Sequence, residues 1–130
     1  MANGGFMEEV RMITEAEWRI LQKLWKKEPM TITQLTKAFA DETGWSKHTI
    51  ISFLNRMEEK DYVFYQEDGR ARQYYTLMDQ ESAIRQEAGL FLQKITETDR
   101  LHVIQILLEL SDLSPVQYRE LYHHIAKKLS

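Results

Sequence analysis

The sequence predicts a mainly α-helical chain with one small β-hairpin: a winged helix-turn-helix over residues 13–78, then a C-terminal module of three helices over 79–130. Three observations carry this. Residues 46–57 wind into an amphipathic helix with Ile50, Phe53, Leu54 and Met57 on one side. A second helix, about Thr33 to Thr43, precedes it across Gly44-Trp45 alone, the spacing of a helix-turn-helix. Two runs of β-formers, Tyr62 to Gln66 and Ala71 to Leu77, follow it around Asp68-Gly69, a type I′ hairpin signal.

Residues 1–12 show no period and read as a mobile tail. Thr14-Glu15-Ala16-Glu17 then matches a capping box, with Ile13 and Trp18 spaced as a hydrophobic staple. Trp18, Leu21 and Trp25, with Ile20 and Leu24 beside them, form a core stripe, and Pro29 stops the helix. Met30-Thr31-Ile32 is too short for more than an edge-like extended piece. The next helix turns Leu35, Ala38 and Phe39 inward and ends at Gly44.

The helix at 46–57 has Ser46 as N-cap and Trp45 with Ile50 as its staple. Its outer side carries His48, Ser52 and Asn55, flanked by Lys47, Thr49, Ile51 and Arg56: two cations and no acid. A polar face without carboxylates suits a DNA major groove, with His48, Thr49, Ser52 and Asn55 toward bases and Lys47 and Arg56 toward the backbone. Arg70 and Arg72 at the wing tip add reach toward phosphates. The plainer reading of each feature is a solvated surface helix and an ordinary turn; their succession favours the recognition reading.

Beyond residue 79, three helices follow without a Gly- or Pro-rich linker. The first, about Gln80 to Ile95, spaces Ile84, Ala88, Phe91, Leu92 and Ile95 helically. The second, about Thr98 to Leu110, is apolar nearly all round. The third opens on Ser114-Pro115-Val116-Gln117, an N-cap, a first-position Pro and a third-position Gln, with Leu113 and Tyr118 as staple. About 50 residues make a small independent core, and a helix apolar on all sides needs cover on all sides. A second copy supplies it most economically, so Leu101, Ile104, Leu107, Leu108, Tyr118, Leu121, Tyr122 and Ile125 are the expected dimer interface. The alternative is that these helices fold back on the winged helix of a monomer.

The net charge of −3 argues against a protein that simply coats nucleic acid, although residues 46–57 and 69–77 are locally positive. With no cysteine there are no disulfides, thiolate metal sites or Cys nucleophile, which suits a reducing cytoplasm. No apolar run reaches the roughly 18 residues of a membrane span, and the N-terminus lacks signal-peptide character. No phosphate loop, zinc-protease or serine-hydrolase motif is present, so neither catalysis nor a cofactor is expected. Asp99 with His102 and Glu109 is a weak metal grouping, and His123 and His124 point about 100° apart. Two rival readings follow: a winged helix used for protein contacts through Ile51, and a metal-responsive regulator using His102 or His123.

Ile13-Thr14-Glu15-Ala16-Glu17-Trp18, Leu24-Trp25, Trp45-Ser46 with Thr49-Ile50 and Arg56, Gly69-Arg70 and Tyr74-Tyr75 together resemble the penicillinase-repressor (BlaI/MecI/CopY) group of regulators. The likeness spans about residues 13–129, including Phe91-Leu92-Gln93-Lys94 and Asp112-Leu113-Ser114. It implies a homodimeric winged-helix repressor on an inverted-repeat operator of double-stranded DNA, read by Ser46, His48, Thr49, Ile51 and Ser52 with wing support from Arg70 and Arg72. For the antibiotic-responsive members it also implies a membrane-bound sensor that leads to repressor cleavage. The Asn-Phe bond cut there corresponds to Ile106-Leu107 in this chain. Lys47 and His48 stand where the group often has Pro and Lys, and Ile51 where a base-reading Arg is common. The copper-responsive branch carries a cysteine cluster near its C-terminus, so the absence of cysteine excludes copper sensing by that route.

Overall fold

The first helix, α1 (Glu15–Lys26), starts at the expected capping box: the Thr14 hydroxyl accepts from Glu17 N (3.2 Å) and the Glu17 carboxylate from Thr14 N (2.9 Å). The computed structural model describes residues 12–130; the rest of the expected tail lies outside the described residues. Leu21 of the stripe, and Ile20 and Leu24, which the sequence placed beside it, are its deepest members and are fully buried. Trp18 and Trp25 flank them half-buried, edge to face at 5.6 Å, with Trp25 Nε1 donating to the Met78 carbonyl (2.9 Å). The indoles stay at the rim because an N–H needs a partner when it leaves water.

Helix α2 (Ile32–Phe39) begins one residue earlier than expected and closes four residues sooner. The early start has a local cause. Thr31 and Gln34 form a second reciprocal capping box, a Thr-x-x-Gln signal overlooked in favour of an extended piece. Met30 and Thr31 are extended, and Met30 bridges Tyr74 through two backbone hydrogen bonds. The chain leaves α2 through a turn over residues 40–43 and reaches Gly44 at φ +67°, a left-handed conformation that favours glycine.

Helix α3 (Lys47–Glu59) packs Ile50, Leu54 and Met57, all fully buried, against Leu35 and Phe39 of α2 and the α1 stripe. Burying three such side chains contributes about 1.5–3 kcal/mol each. Trp45 before the helix sits between Phe39 (4.8 Å) and Phe53 (5.0 Å). At the far end, Tyr62 N donates to Met57 O and Asp61 N to Glu58 O, the two bonds of a Schellman motif. Asp61 takes the left-handed position usually given to glycine (φ 61°).

The hairpin pairs β1 (Val63–Asp68) with β2 (Ala71–Thr76), from Val63 opposite Thr76 to Asp68 opposite Ala71. The connecting residues are therefore Gly69-Arg70, not Asp68-Gly69. Gly69 is left-handed (φ +64°) and Arg70 is not, the pattern of a II′ turn instead of the expected I′. Val63 and Tyr74 face the core; Phe64 and Tyr75 stack on the other face at 5.1 Å.

Helix α4 (Gln80–Gln93) follows, capped by Asp79, whose Oδ1 accepts from Ser82 N (2.7 Å). The Ser82 hydroxyl, and after it that backbone bond, hold the Asp79 carboxyl below its ordinary range. Ala83, not the expected Ile84, enters the core. Glu87 accepts from Ile13 N (3.0 Å) and Gln86 donates to the Tyr62 hydroxyl (3.4 Å). Two compact units divide at Leu90/Phe91, inside α4, whereas the sequence placed the boundary at 78/79. The difference arises because the first half of α4 completes the winged-helix core.

The second unit holds a 3₁₀ turn (Glu97–Asp99), α5 (Arg100–Ser111) and α6 (Pro115–Leu129). Asp112 ends α5 in the left-handed region (φ 50°), and Ser114 with Gln117 opens α6 as the third capping box. Tyr118 donates its hydroxyl to the Leu108 carbonyl (3.3 Å).

One charged side chain lies within the first unit's core. Glu17 is 1 % exposed and receives both a Thr14 amide bond and the Lys60 ammonium at 2.9 Å, Lys60 being the C-cap of α3. Lys60→Met leaves that carboxylate buried without its cation. The expected loss is about 3 kcal/mol of stability, read as a lower urea midpoint at unchanged slope.

Candidate nucleic-acid interface

The outward side of α3 is built by the same winding that buries Ile50, Leu54 and Met57. Ser46, Lys47, His48, Ser52, Asn55 and Arg56 are exposed, and Thr49 and Ile51 are half-exposed beside them. The side chains of Lys47, His48, Ser52, Asn55 and Arg56 have no hydrogen-bond or ion-pair partner among the described residues. They are free to meet another molecule. Ser46 is differently placed: its hydroxyl accepts from Thr49 N (3.2 Å) and lies 3.0 Å from Thr49 Oγ1. It is spent on starting the helix.

The two wing arginines differ as well. Arg70, in the turn, is exposed and has no ion-pair or hydrogen-bond partner among the described residues. Arg72 lies one step down β2, its guanidinium over the Tyr65 ring at 4.1 Å. A hydrogen bond to the Tyr74 hydroxyl raises its pKa above the ordinary arginine value, while burial pushes Tyr74 itself upward. Arg72 is thus held in place by two tyrosines that the hairpin register puts on the same face.

A cleft of about 300 Å³ brings Thr31, Ile32 and Thr33 together with Lys47, Arg70 and Arg72. This grouping was not read from the sequence. Its ingredients are the N-terminus of α2, the first residue of α3 and the wing tip, three places far apart in the chain. The amides of the first turn of α2 lack intrahelical partners, and the helix dipole adds partial positive charge there. With three cations around it, the cleft is suited to a phosphate. The Thr31-x-x-Gln34 box would have signalled where that helix end lies.

The chemistry considered elsewhere is not assembled. Among the described residues no group of three His, Asp or Glu side chains is placed to hold a metal ion. Asp99 instead accepts from the Thr96 hydroxyl at 2.7 Å. In the second unit, Leu101, Ile104, Leu107, Tyr118, Tyr122 and Ile125 are exposed, with Leu108 and Leu121 half-exposed; no described residue beyond Ala83 is buried. Ile106 and Leu107 lie inside α5, both exposed. No helix among the described residues is long and apolar enough to cross a membrane.

Three packed helices, a hairpin wing and an outer face on the third helix that bears no carboxylate before its last turn define a winged-helix DNA-binding regulator. A family model described as the penicillinase repressor matches residues 13–127. The methicillin resistance regulatory protein MecI of Mammaliicoccus sciuri is 23 % identical over 116 residues, covering 89 % of this chain and 94 % of the relative. The penicillinase repressor of Bacillus licheniformis is 24 % identical over 116 residues, covering 89 % and 91 %. In fold, the solution structure of the DNA-binding domain of the repressor BlaI aligns with a TM-score of 0.51 at 23 % identity, over 56 % of this chain and 89 % of that one. An ArsR-like transcriptional regulator from Rhodococcus sp. RHA1 aligns at 0.50 and 19 % identity, over 88 % and 100 %. The chain belongs to the penicillinase repressor family, a family of transcriptional repressors and not of enzymes.

Arg70→Ala is expected to weaken DNA binding evenly across sequences and to lower the slope of log affinity against log salt by about one. Asn55→Ala is expected to relax sequence preference, costing about 1–3 kcal/mol on the preferred duplex and little on others. Fluorescence anisotropy at several salt concentrations reads both.

Proposed function

We propose that this chain is a homodimeric, sequence-specific repressor that occludes a promoter at an inverted-repeat operator. Helix α3 enters the major groove with His48, Thr49, Ser52 and Asn55 toward base edges. Lys47, Arg56, Arg70 and Arg72 hold the backbone, and Ile51 packs on a thymine methyl where an arginine would have bonded guanine. The observation that carries this reading is the continuity of the exposed, acid-free stretch of α3 over residues 46–57 with the cleft shared by Lys47, Arg70 and Arg72; the exposed Glu59 closes that face at the C-terminal end of the helix.

Dimerisation is supported by the second unit's side chains. Leu101 is 68 % and Tyr122 70 % exposed, with Ile104, Leu107, Tyr118 and Ile125 uncovered beside them. Apolar exposure on that scale in α5 and α6 marks a surface meant for cover. A second copy matches the two-fold symmetry of an inverted repeat, with half-sites about 10 base pairs or a multiple apart. Promoter occlusion needs both protomers on one duplex, so a switch that lowers dimer affinity releases the DNA. A membrane-bound sensor protease of the kind that serves antibiotic-responsive relatives is the partner we infer for such a switch, and an antibiotic-response or related gene its target. Ile106-Leu107 sits in regular helix, where a protease cannot bind it as an extended segment without unwinding α5. We therefore place the switch at dimer affinity, not at cleavage of that bond.

Binding to the chain's own upstream intergenic DNA at two salt concentrations tests the reading. Preference for one inverted repeat, with affinity falling as salt rises, is expected; no preference, or no salt response, refutes it. For the dimer, Ile104→Asp with Tyr122→Asp is expected to shift micromolar protein from dimer to monomer in sedimentation velocity and to weaken operator binding at least tenfold. The winged-helix unit should stay folded by near-UV circular dichroism. A wild-type chain that sediments as a monomer, with and without duplex, removes the dimer.

A further inference from the structure

The first unit has a second cleft, of about 420 Å³, on α1 away from the wing residues, between that helix, the turn after α2 and the start of α4. Arg19, Lys23 and Lys26 line it against a single carboxylate, Glu42; half-buried Trp25 supplies its apolar wall, with Phe39 fully buried behind Lys23. We propose that this cleft binds a small dianion carried on a flat apolar body, an aromatic phosphate or dicarboxylate, and that its occupant takes Lys23 from Glu42.

Three cations facing one carboxylate leave the cleft with excess positive charge at its lining. Lys23 Nζ reaches Glu42 at 2.5 Å and also lies over the Phe39 ring at 5.4 Å. Arg19 additionally pairs with Glu15 at 3.2 Å, on the exposed side of α1. The Glu42 carboxyl is held below its ordinary range, first by the Lys23 bond and then by the charges of Lys23, Arg19 and Lys26. An external anion meets the same cations, and two charges outcompete one. The wall favours a ring: the Trp25 N–H is already taken by the Met78 carbonyl, which leaves its face for contact. The volume falls in the range of small-ligand sites, about 300–1,000 Å³.

Occupancy has a path to α3. Glu42 belongs to the turn that leads through Gly44 to Trp45. Phe39, under Lys23, touches Trp45, and Trp45 touches Phe53 of α3. Freeing Glu42 loosens the turn, and moving Lys23 off Phe39 changes the surface on which Trp45 rests. The consequence for operator binding rests on the function proposed above; the binding itself does not, so the experiment is done first without DNA.

The full chain, ¹⁵N-labelled at tryptophan, is titrated with phenyl phosphate at constant ionic strength. The indole N–H signals of Trp25 and Trp45 are expected to shift and saturate together, with inorganic phosphate and phenol each binding at least about fivefold more weakly. Arg19→Gln with Lys26→Gln should weaken binding about tenfold, while Glu42→Gln should tighten it by removing the internal competitor. Arg70→Ala with Arg72→Ala should leave it unchanged. No saturable shift, equal binding by the Arg19/Lys26 variant, or loss in the Arg70/Arg72 variant overturns the proposal. A short duplex added in place of phenyl phosphate identifies the other source of phosphate: if its affinity drops as far in the Arg19/Lys26 variant, the cleft is a DNA contact and the small-ligand site is wrong.

Discussion

The contact between Glu17 and Lys60 fixes how α1 and α3 meet. A carboxylate taken almost wholly from water is costly unless its oxygens are paired. Here one oxygen closes the α1 capping box and both face the Lys60 ammonium. Lys60 also donates to the Met12 carbonyl (3.3 Å), so the entry of α1 and the exit of α3 converge on one cation. Such a pair contributes little net stability compared with an apolar replacement, but it tolerates few alternative packings. The roll of α3 about its axis is therefore set at both ends: by the Ile50, Leu54 and Met57 seam along its length and by a directional ionic contact at its C-terminus. That roll decides which side chains face outward.

The two units handle apolar surface in different ways. The first closes a core from α1, α2, α3, the hairpin and Ala83 of α4, with Tyr74 on β2 fully buried against it. The second has no buried residue and carries large side chains on several faces of α5. Hydrophobic burial is the main favourable term in folding. In the dimer proposed above, a second copy supplies that term, and folding of the second unit is then coupled to association.

Much of the first unit was legible from its ends and its periodicity. The Thr14 capping box, the Ser46 N-cap and the apolar spacing of α1 and α3 placed those helices to within a residue or two, because caps and burial are local or nearly so. Thr31 is extended, as expected of a residue before the helix; the one-residue shift at α2 comes from Ile32, which the Thr31–Gln34 box makes the first helical residue. The turn residues of the hairpin moved by one because Asp68-Gly69 and Gly69-Arg70 are both acceptable pairs, and register with Tyr74 and Val63 decided between them. At the candidate interface, the outward face of α3 followed from winding alone. The Thr31–Thr33 contribution, the tyrosine support of Arg72, and the Glu17–Lys60 contact depend on tertiary meetings between elements far apart in sequence. No spacing rule reports those. The unit boundary within α4 was missed for the same reason: only packing shows that Ala83 belongs with what precedes it.

Arg70 and Arg72, two residues apart, differ most in what they must give up on engagement. A free arginine carries roughly 2 kcal/mol of rotamer entropy, and Arg70 retains it until something orders the chain. Arg72, seated on Tyr65 and tethered to Tyr74, has surrendered part of that freedom during folding. One wing arginine is thus a rigid peg and its neighbour a searching arm, and a lysine at position 72 would keep the charge while forfeiting the planar seat that makes the peg stiff.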